Sequence, residues 1–295
     1  FRDRMEVRLS DAEKVFIMHG VQEGLRNDGR SCSDYRPVFI ERGVLMTTDG
    51  SARVRIGSSD VLVGVKCELV ECDDSSKEKE RLIFNVDCSA NATPQFQGKG
   101  GDEYATELAG ALSIAFNNPL AIPDLEKLAV SGNHYWKIYV DVVVLQYGGS
   151  MVDAASIGAK VALYDTEICT LKARAADAKK SVVDVVEGEE SWSLDVSRAP
   201  LLVCVSKVGT ANVVDVMMEE EACSFASLWV GVLPLVKNSE ALVSMCRQTG
   251  GGSLDSSSIE EMLHLAVATA SKAAEELNEF CASSEKGVPG ETFLL

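Results

Sequence analysis

Alternating apolar and polar residues predict two β-hairpins, one in each half of the chain. In the stretch 50–70, apolar residues recur at every second position on both sides of a Gly-Ser-Ser-Asp turn, which is typical of half-buried strands joined tightly. The stretches 199–208 and 211–216 repeat this arrangement. Further strands are predicted over 82–88, 138–145 and 241–247, of which the second is apolar enough to be buried on both faces.

Besides a helix in the segment 213–228, four helices are predicted, three of which follow a glycine-rich turn. The first is a short amphipathic helix over 10–22. The others follow the glycines at 98–101, 148–149 and 250–252. The second of these is rich in small residues over 154–159, which indicates close packing against a sheet, and the last begins with a capping-box pattern. Hairpin, strand, glycine loop and helix occur in each half, so the sequence predicts two related α/β units.

Composition shifts predict the division of the chain. The segment 170–193 is polar, charged and poor in large apolar residues, which is typical of an excursion between units. We therefore expect a helical extension over 1–25, a first unit over 26–170, a polar linker over 171–196, a second unit over 197–282 with the long helix, and a tail over 283–295.

The charge balance limits the function classes. The 295 residues are 46% hydrophobic and 25% charged, with a formal net charge of −17, which weighs against clamping nucleic acid alone. A locally basic edge, or RNA contact shared with other subunits, stays open. No apolar run approaches the roughly 20 residues that span a bilayer, so no membrane partner is expected.

Cysteine and histidine usage argues against a metal site or a cofactor. The nine cysteines form no Cys-x-x-Cys pair, and most lie in apolar segments. That pattern favours reduced, buried thiols and an intracellular compartment. The three histidines are scattered and neighbour no cysteine at ligand spacing, so neither metal nor cofactor is expected.

The segment 213–228 carries the candidate chemistry. It reads as an apolar strand, an acidic turn and a helix rich in small residues. Asp215 would lie at the end of the strand and Glu221 in the first turn of the helix, where paired carboxylates can hold a metal or exchange a proton. The alternative is that Glu219, Glu220 and Glu221 are first-turn acids facing the positive end of the helix dipole.

Several short motifs occur in order between residues 10 and 280. They are Arg26-x-Asp28-Gly29-Arg30, Tyr35-Arg36-Pro37, Gly50-Ser51-Ala52-Arg53-Val54, Gly57-x-Ser59-Asp60-Val61, Phe96-x-Gly98-Lys99-Gly100-Gly101-Asp102-Glu103 with Thr106-Glu107, Gly148-Gly149-Ser150 with Asp153-Ala154-Ala155-Ser156, and Asp215-x-x-x-Glu219-Glu220-Glu221-Ala222-Cys223. The first four resemble the amino-terminal signature of RNase PH-like proteins. The others are similar to the forty-two-type ring subunit of the RNA exosome.

This resemblance implies an α/β (α+β) RNase PH-like fold of two related βαβα halves, with S5-domain-2-like topology. Active members degrade RNA from its 3′ end by phosphorolysis, in which inorganic phosphate attacks the terminal phosphodiester and releases a nucleoside diphosphate. That reaction needs cationic donors for the phosphate and carboxylates for a metal or the leaving oxygen.

Three departures from the family pattern imply a pseudoenzyme. Asp215 matches the first family carboxylate, but Glu221 stands where active members carry a second Asp. The family turn Gly-Gly-Thr-Arg-Thr is replaced by Gly-Gly-Ser-Met-Val over 148–152, followed by Asp153. The phosphate-binding arginine is thus missing, and an acid that would repel phosphate lies nearby. The helix after Lys99 also lacks the family's RNA-gripping arginines.

The implied role is a non-catalytic subunit of the six-membered exosome ring. Expected partners are other RNase PH-like ring subunits, S1/KH-type cap subunits and RNA passing through the ring, in the nucleus (including the nucleolus) and the cytoplasm, where rRNA is processed and RNA degraded. Lys99 and Arg81 are RNA-contact candidates, with a solvated lysine and a strand-edge arginine as the alternative readings. Arg26 and Arg30 are expected to be structural, pairing with nearby acids or backbone.

Two other functions stay open from the sequence. One is an active phosphate-dependent 3′-to-5′ exoribonuclease that uses Asp215 and Glu221. The other is an acidic adaptor unrelated to RNA.

Overall fold

The structure is a computed structural model that describes residues 9–71, 81–97, 99–130, 134–177, 180–185, 191–234, 241–283 and 291–293. The helices are α1 (Asp11–Gln22), α2 (Gly100–Phe116), α3 (Met151–Asp165), α4 (Met218–Cys223) and α5 (Ser256–Ser283). The strands are β1 (Val38–Arg42), β2 (Gly50–Ile56), β3 (Ser59–Glu71), β4 (Leu82–Cys88), β5 (His134–Gln146), β6 (Leu171–Asp177), β7 (Lys180–Val185), β8 (Leu201–Val208), β9 (Ala211–Val214), β10 (Ser224–Leu233), β11 (Leu242–Thr249) and β12 (Glu291–Phe293).

Two main sheets carry the architecture. The first has the order β12-β1-β2-β3-β5-β4 and is antiparallel except for the parallel pair of β4 and β5. The second has the order β11-β10-β8-β9 and is antiparallel throughout. Strands β6 and β7 form a separate hairpin. The predicted α/β (α+β) fold class is confirmed.

Helix α3 lies between the two sheets. It contacts β2 and β3 on one side and β8 on the other, and nearly all of its residues are buried. Small residues permit this position: a Cβ added at Gly158 would lie 2.8 Å from a methyl carbon of Val63. The predicted small-residue helix is therefore confirmed, and it joins both sheets into one hydrophobic core.

The remaining helices cover the outer faces. Helix α2 packs on β4, and α5 packs on β8 and β10. Helix α1 packs on α4 and β8 around a second small cluster that includes Ile17, Val21 and Val213. Within the described residues, no helix is both long and apolar enough to cross a lipid bilayer.

Three segments differ from the sequence prediction. The helix predicted to run to residue 228 ends at Cys223, and β10 begins at Ser224. The helical prediction is wrong there because β10 pairs with β8 and β11 on its two edges, and this pairing outweighs the local preference of small residues. The predicted tail contains β12, which pairs with β1, and the predicted polar linker contains β6 and β7. The division of the chain into units stays a prediction.

Candidate functional site

Asp215 lies immediately beyond β9 in a left-handed backbone conformation, with φ of 46°. Its carboxylate is fully buried. Arg36 donates to it three times: Nη2 to Oδ1 at 2.6 Å, Nε to Oδ2 at 2.8 Å and the backbone nitrogen to Oδ2 at 2.7 Å. Arg30 Nη1 adds a fourth bond to Oδ2 at 3.1 Å. Since a carboxylate accepts about four hydrogen bonds, these donors fill its capacity.

The guanidinium of Arg36 also holds the neighbouring turn. Its Nη1 donates to the carbonyl oxygen of Gly148 at 2.7 Å, and its Nη2 donates to that of Gly149 at 3.2 Å. These carbonyls belong to the turn between β5 and α3. Arg36 therefore ties this turn to Asp215, with four of its five guanidinium N–H groups donating to protein oxygens.

A second buried ion pair lies beside the first. Arg26 donates to Glu220 through Nε at 2.9 Å and through Nη2 at 2.7 Å, and to the Asp215 carbonyl oxygen at 2.9 Å. Arg30 pairs with Asp28 at the Asp-Gly turn. The structural roles expected for Arg26 and Arg30 agree with these contacts.

The three acids of α4 point in three directions. Glu219 is exposed to solvent, Glu220 is buried against Arg26, and Glu221 accepts the Tyr147 hydroxyl at 2.9 Å on both oxygens. Burial, and then the negative charge of Glu221, raise the pKa of Tyr147 well above its usual range, so this hydroxyl stays a proton donor. Asp215 and Glu221 thus have separate partners, and the Asp215 carboxylate has no capacity left for a metal ion.

Glu221 lines a cavity of about 520 Å³ enclosed by α2, the turn before α3, α4, β10 and β11. Tyr104, Tyr147 and Trp229 provide aromatic walls, and Glu107 is the other acid on the lining. Among the described residues that line it, there is no lysine or arginine. The cavity is therefore acidic and aromatic, which is the opposite of what an attacking phosphate needs.

Asp153 faces the interior. Its carboxylate accepts the Tyr35 hydroxyl at 2.6 Å, the Ser150 hydroxyl at 2.8 Å and the Cys204 backbone nitrogen at 3.2 Å. Burial raises its pKa to about 7, opposed by the hydrogen bond from Tyr35. The sequence predicts that Asp153 lies near an attacking phosphate and repels it. In the structure this carboxylate is buried among protein donors and does not line the cavity.

The two RNA-contact candidates lie outside the cavity. Lys99 immediately precedes α2 and is exposed. Arg81 precedes β4, and its guanidinium stacks over the Tyr135 ring at 4.2 Å from the ring centre. Neither lines the cavity, so the structure does not bring them together with Glu221.

Sequence reasoning did not assign a site role to Arg36 or Tyr147. Arg36 is 179 positions from Asp215, and no local spacing links the two. The only signal is that Arg36 lies within the Tyr-Arg-Pro motif that carried the family resemblance. Within the described residues, no group of three or more His, Cys, Asp or Glu side chains is placed to hold a metal ion.

Comparison with known proteins decides the family. The profile of the RNase_PH family, described as 3′ exoribonuclease family, domain 1, matches residues 34–169. The RRP42 protein of Dictyostelium discoideum, whose name describes an exosome complex exonuclease, is 31% identical over 307 residues, covering 88% of this chain and 93% of that protein. The chain belongs to the RNase PH-like family. The Rrp42 exosome component of Saccharolobus solfataricus is 30% identical over 268 residues, covering 90% of this chain and 94% of the relative.

Chains of solved archaeal exosomes share the fold. An archaeal exosome core chain matches with a TM-score of 0.72 and 25% identity, covering 91% of this chain and 97% of its own length. A chain of the Archaeoglobus fulgidus exosome with RNA bound to the active site matches with a TM-score of 0.73 and 26% identity, covering 90% and 98%. The resemblance to the forty-two type is confirmed, since the Dictyostelium discoideum and Saccharolobus solfataricus relatives carry the Rrp42 name.

Proposed function

We propose that this chain is a structural, non-catalytic subunit of an exosome ring that supports 3′-to-5′ RNA processing and degradation by the whole complex. The support is full-length similarity to proteins named as Rrp42 exosome components and to chains of archaeal exosome cores. Its partners are other RNase PH-like ring subunits, S1/KH-type cap subunits and RNA. The nucleus and cytoplasm are its proposed compartments.

The observation that carries the non-catalytic part of the proposal is the charge of the site. Glu221 lines a cavity with no cationic side chain among its described residues, and Asp215 is saturated by Arg36 and Arg30. Phosphorolysis requires cationic donors at the attacking phosphate and a carboxylate available at the reacting centre. Met151 stands where active members carry the phosphate-binding arginine. The active-exoribonuclease alternative is therefore not favoured.

Lys99 and Arg81 are our proposed RNA contacts. With a net charge of −17, the chain has no general affinity for phosphates, so contact with RNA depends on a few local cations. Lys99 is exposed at the start of α2 and fits this role. The Arg81 guanidinium stacks on the Tyr135 ring with one of its faces. A nucleobase can stack on a guanidinium in the same way.

Native mass measurement tests the assembly part. The chain is tagged in its own cells and purified at moderate salt, and the mass and composition of the complex are determined. The proposal predicts a stable heteromeric ring that contains other RNase PH-like chains. A chain recovered alone, or with partners unrelated to RNA, would support the adaptor alternative instead.

A further inference from the structure

We propose that the outer edge of β11 accepts a β-strand from a neighbouring RNase PH-like chain, so that one sheet continues from this subunit into the next. This inference rests on the proposed function, because it assumes a ring, and it deepens that function by naming a contact surface. The two main sheets have four edge strands, which are β12, β4, β9 and β11. An edge strand directs backbone N–H and C=O groups away from its sheet, where an extended peptide can bond to them.

Three of the four edges are closed or short. On β4, the Asn117 side chain accepts from the Leu82 nitrogen at 3.2 Å and donates to the Leu82 carbonyl oxygen at 2.9 Å. On β9, the Val214 nitrogen donates to the Cys32 carbonyl oxygen at 2.9 Å, and Arg26 Nη1 donates to the Val214 carbonyl oxygen at 3.2 Å. Strand β12 is only three residues long. Natural proteins protect edge strands from unwanted pairing by such coverage and shortness.

Strand β11 differs from the other three edges. It is eight residues long, and among the described residues no strand pairs with its outer edge. Leu242 and Val243 are each 45% exposed on it. The one charged residue of the strand, Arg247, pairs with Glu107 of α2, with Nη2 and Oε1 2.8 Å apart. Since these two charges offset each other, the edge is long, apolar and weakly charged, which favours pairing with another chain.

Helix α2 adds an apolar flank to this edge. A Cβ added at Gly231 on β10 would lie 2.8 Å from Cγ of Met245 on β11 and 3.4 Å from Cβ of Ala115 on α2. The helix therefore lies over the junction of the two strands. Ile114, the residue before Ala115, is 62% exposed. A strand with apolar side chains that pairs with β11 can bury Ile114 together with the exposed side chains of the edge, which the hydrophobic effect favours.

Charge favours a different chain over a second copy of this one. With a net charge of −17, two copies of the chain repel each other. The exposed acids Asp102 and Glu103 lie in the first turn of α2. A neighbouring chain that carries lysine or arginine beside an apolar strand complements these acids. RNA does not fit this edge, because its phosphates would be repelled by the same acids.

Hydrogen exchange at the β11 amides tests the pairing. The full-length chain is measured alone and in the complex purified from its own cells. The amides of residues 242–249 are expected to exchange at least about 10-fold more slowly in the complex, because a partner strand protects the outward N–H groups. The amides of β9 are the internal control, since the outer edge of that strand is already bonded within the chain. Their exchange is expected to stay the same.

Val243→Lys tests the same contact by placing a charge on the edge. This variant is expected to reduce recovery of the neighbouring RNase PH-like chain at least about 10-fold, because a lysine on an edge strand opposes strand addition. Val15→Lys is the matched control, since Val15 on α1 is also 45% exposed. The control is expected to leave the composition of the complex unchanged.

The outcomes separate this inference from the proposed function. Unchanged exchange at the β11 amides in an intact ring would overturn the inference and leave the proposed function standing. Slower exchange in a dimer of this chain alone would overturn the assigned partner in favour of a second copy. A chain recovered without RNase PH-like partners would overturn both proposals. If Val243→Lys does not fold, the exchange rates of the unmodified protein decide.

Discussion

Nη2 of Arg36 lies 2.6 Å from Oδ1 of Asp215, and the ion pair is buried across a sequence separation of 179 residues. Asp215 therefore stabilises the fold in this chain. The ion pair joins the segment before β1 to the turn after β9. The Arg36 guanidinium also donates to the Gly148 carbonyl oxygen and so holds the turn before α3. Losing this acid should therefore reduce stability.

Asp215→Asn is expected to lower the free energy of unfolding by about 3–5 kcal/mol, because it leaves Arg36 buried without its counter-charge. Urea unfolding followed by circular dichroism measures this. Asp87→Asn, at an exposed position on β4, is the matched control and should stay within about 0.5 kcal/mol of the parent. Equal stability of the two variants would show that the ion pair contributes nothing.

Gly149→Ala is expected to destabilise the protein by at least about 2 kcal/mol. Gly149 has φ of 92°, and an added Cβ would lie 2.3 Å from the backbone oxygen of Val216. The turn before α3 and the turn after β9 would have to separate. Gly110→Ala is the control, since nothing lies within 4 Å of an added Cβ there and alanine favours a helix by up to about 1 kcal/mol. Thermal unfolding of both variants checks the prediction, and a Gly149→Ala protein as stable as Gly110→Ala would contradict it.

Asp153 makes stability depend on pH. Its pKa rises from 3.8 to about 7 on folding, mainly through burial. The folded state then binds more protons than the unfolded state between these values, so this group's stabilisation is complete below about pH 4 and is lost as the pH rises to about 7. Its full size is on the order of 4 kcal/mol. Unfolding free energies at pH 5 and pH 7.5 measure the fall.

Asp153→Asn should flatten that fall, because an amide does not titrate in this range. The difference between the parent and the variant isolates this group from other titrations. The free energy of unfolding could instead change between pH 5 and pH 7.5 by the same amount in the parent protein and in Asp153→Asn. That result would contradict the assigned pKa.

The sequence predicts the elements well where local pattern decides them. The hairpin 50–70 corresponds to β2 and β3, and the strand 241–247 to β11. The small residues of α3 predicted close packing, and the helix is buried between the sheets. In these places periodicity and side-chain size carry the information.

The sequence does not predict structure correctly where contacts between distant parts of the chain determine it. The segment after Cys223 becomes β10 only because strands on both sides pair with it. The family motifs indicated Asp215 and Glu221 as a pair, yet their partners, Arg36 and Tyr147, lie far away in the chain. No spacing rule predicts such partners, so the actual role of each carboxylate emerges only from the fold.

Lys99→Ala, in the assembled ring, is expected to weaken RNA binding for all sequences alike. Loss of one phosphate contact should reduce the slope of log affinity against log salt by about one. Lys127→Ala is the control, because that exposed lysine pairs with Asp124. Filter binding at several salt concentrations measures both variants. An unchanged slope for Lys99→Ala would remove this residue from the proposed RNA contacts.

Phosphorolysis by the purified chain tests the central claim most directly. The full-length protein is incubated with 3′-tailed RNA, magnesium and inorganic phosphate, and released nucleoside diphosphate is quantified against a phosphate-free reaction. The account predicts no phosphate-dependent release, because no lysine or arginine is among the described residues that line the cavity beside Glu221, and Asp215 is saturated by arginines. Nucleoside diphosphate release that a folded Glu221→Gln variant abolishes would contradict it.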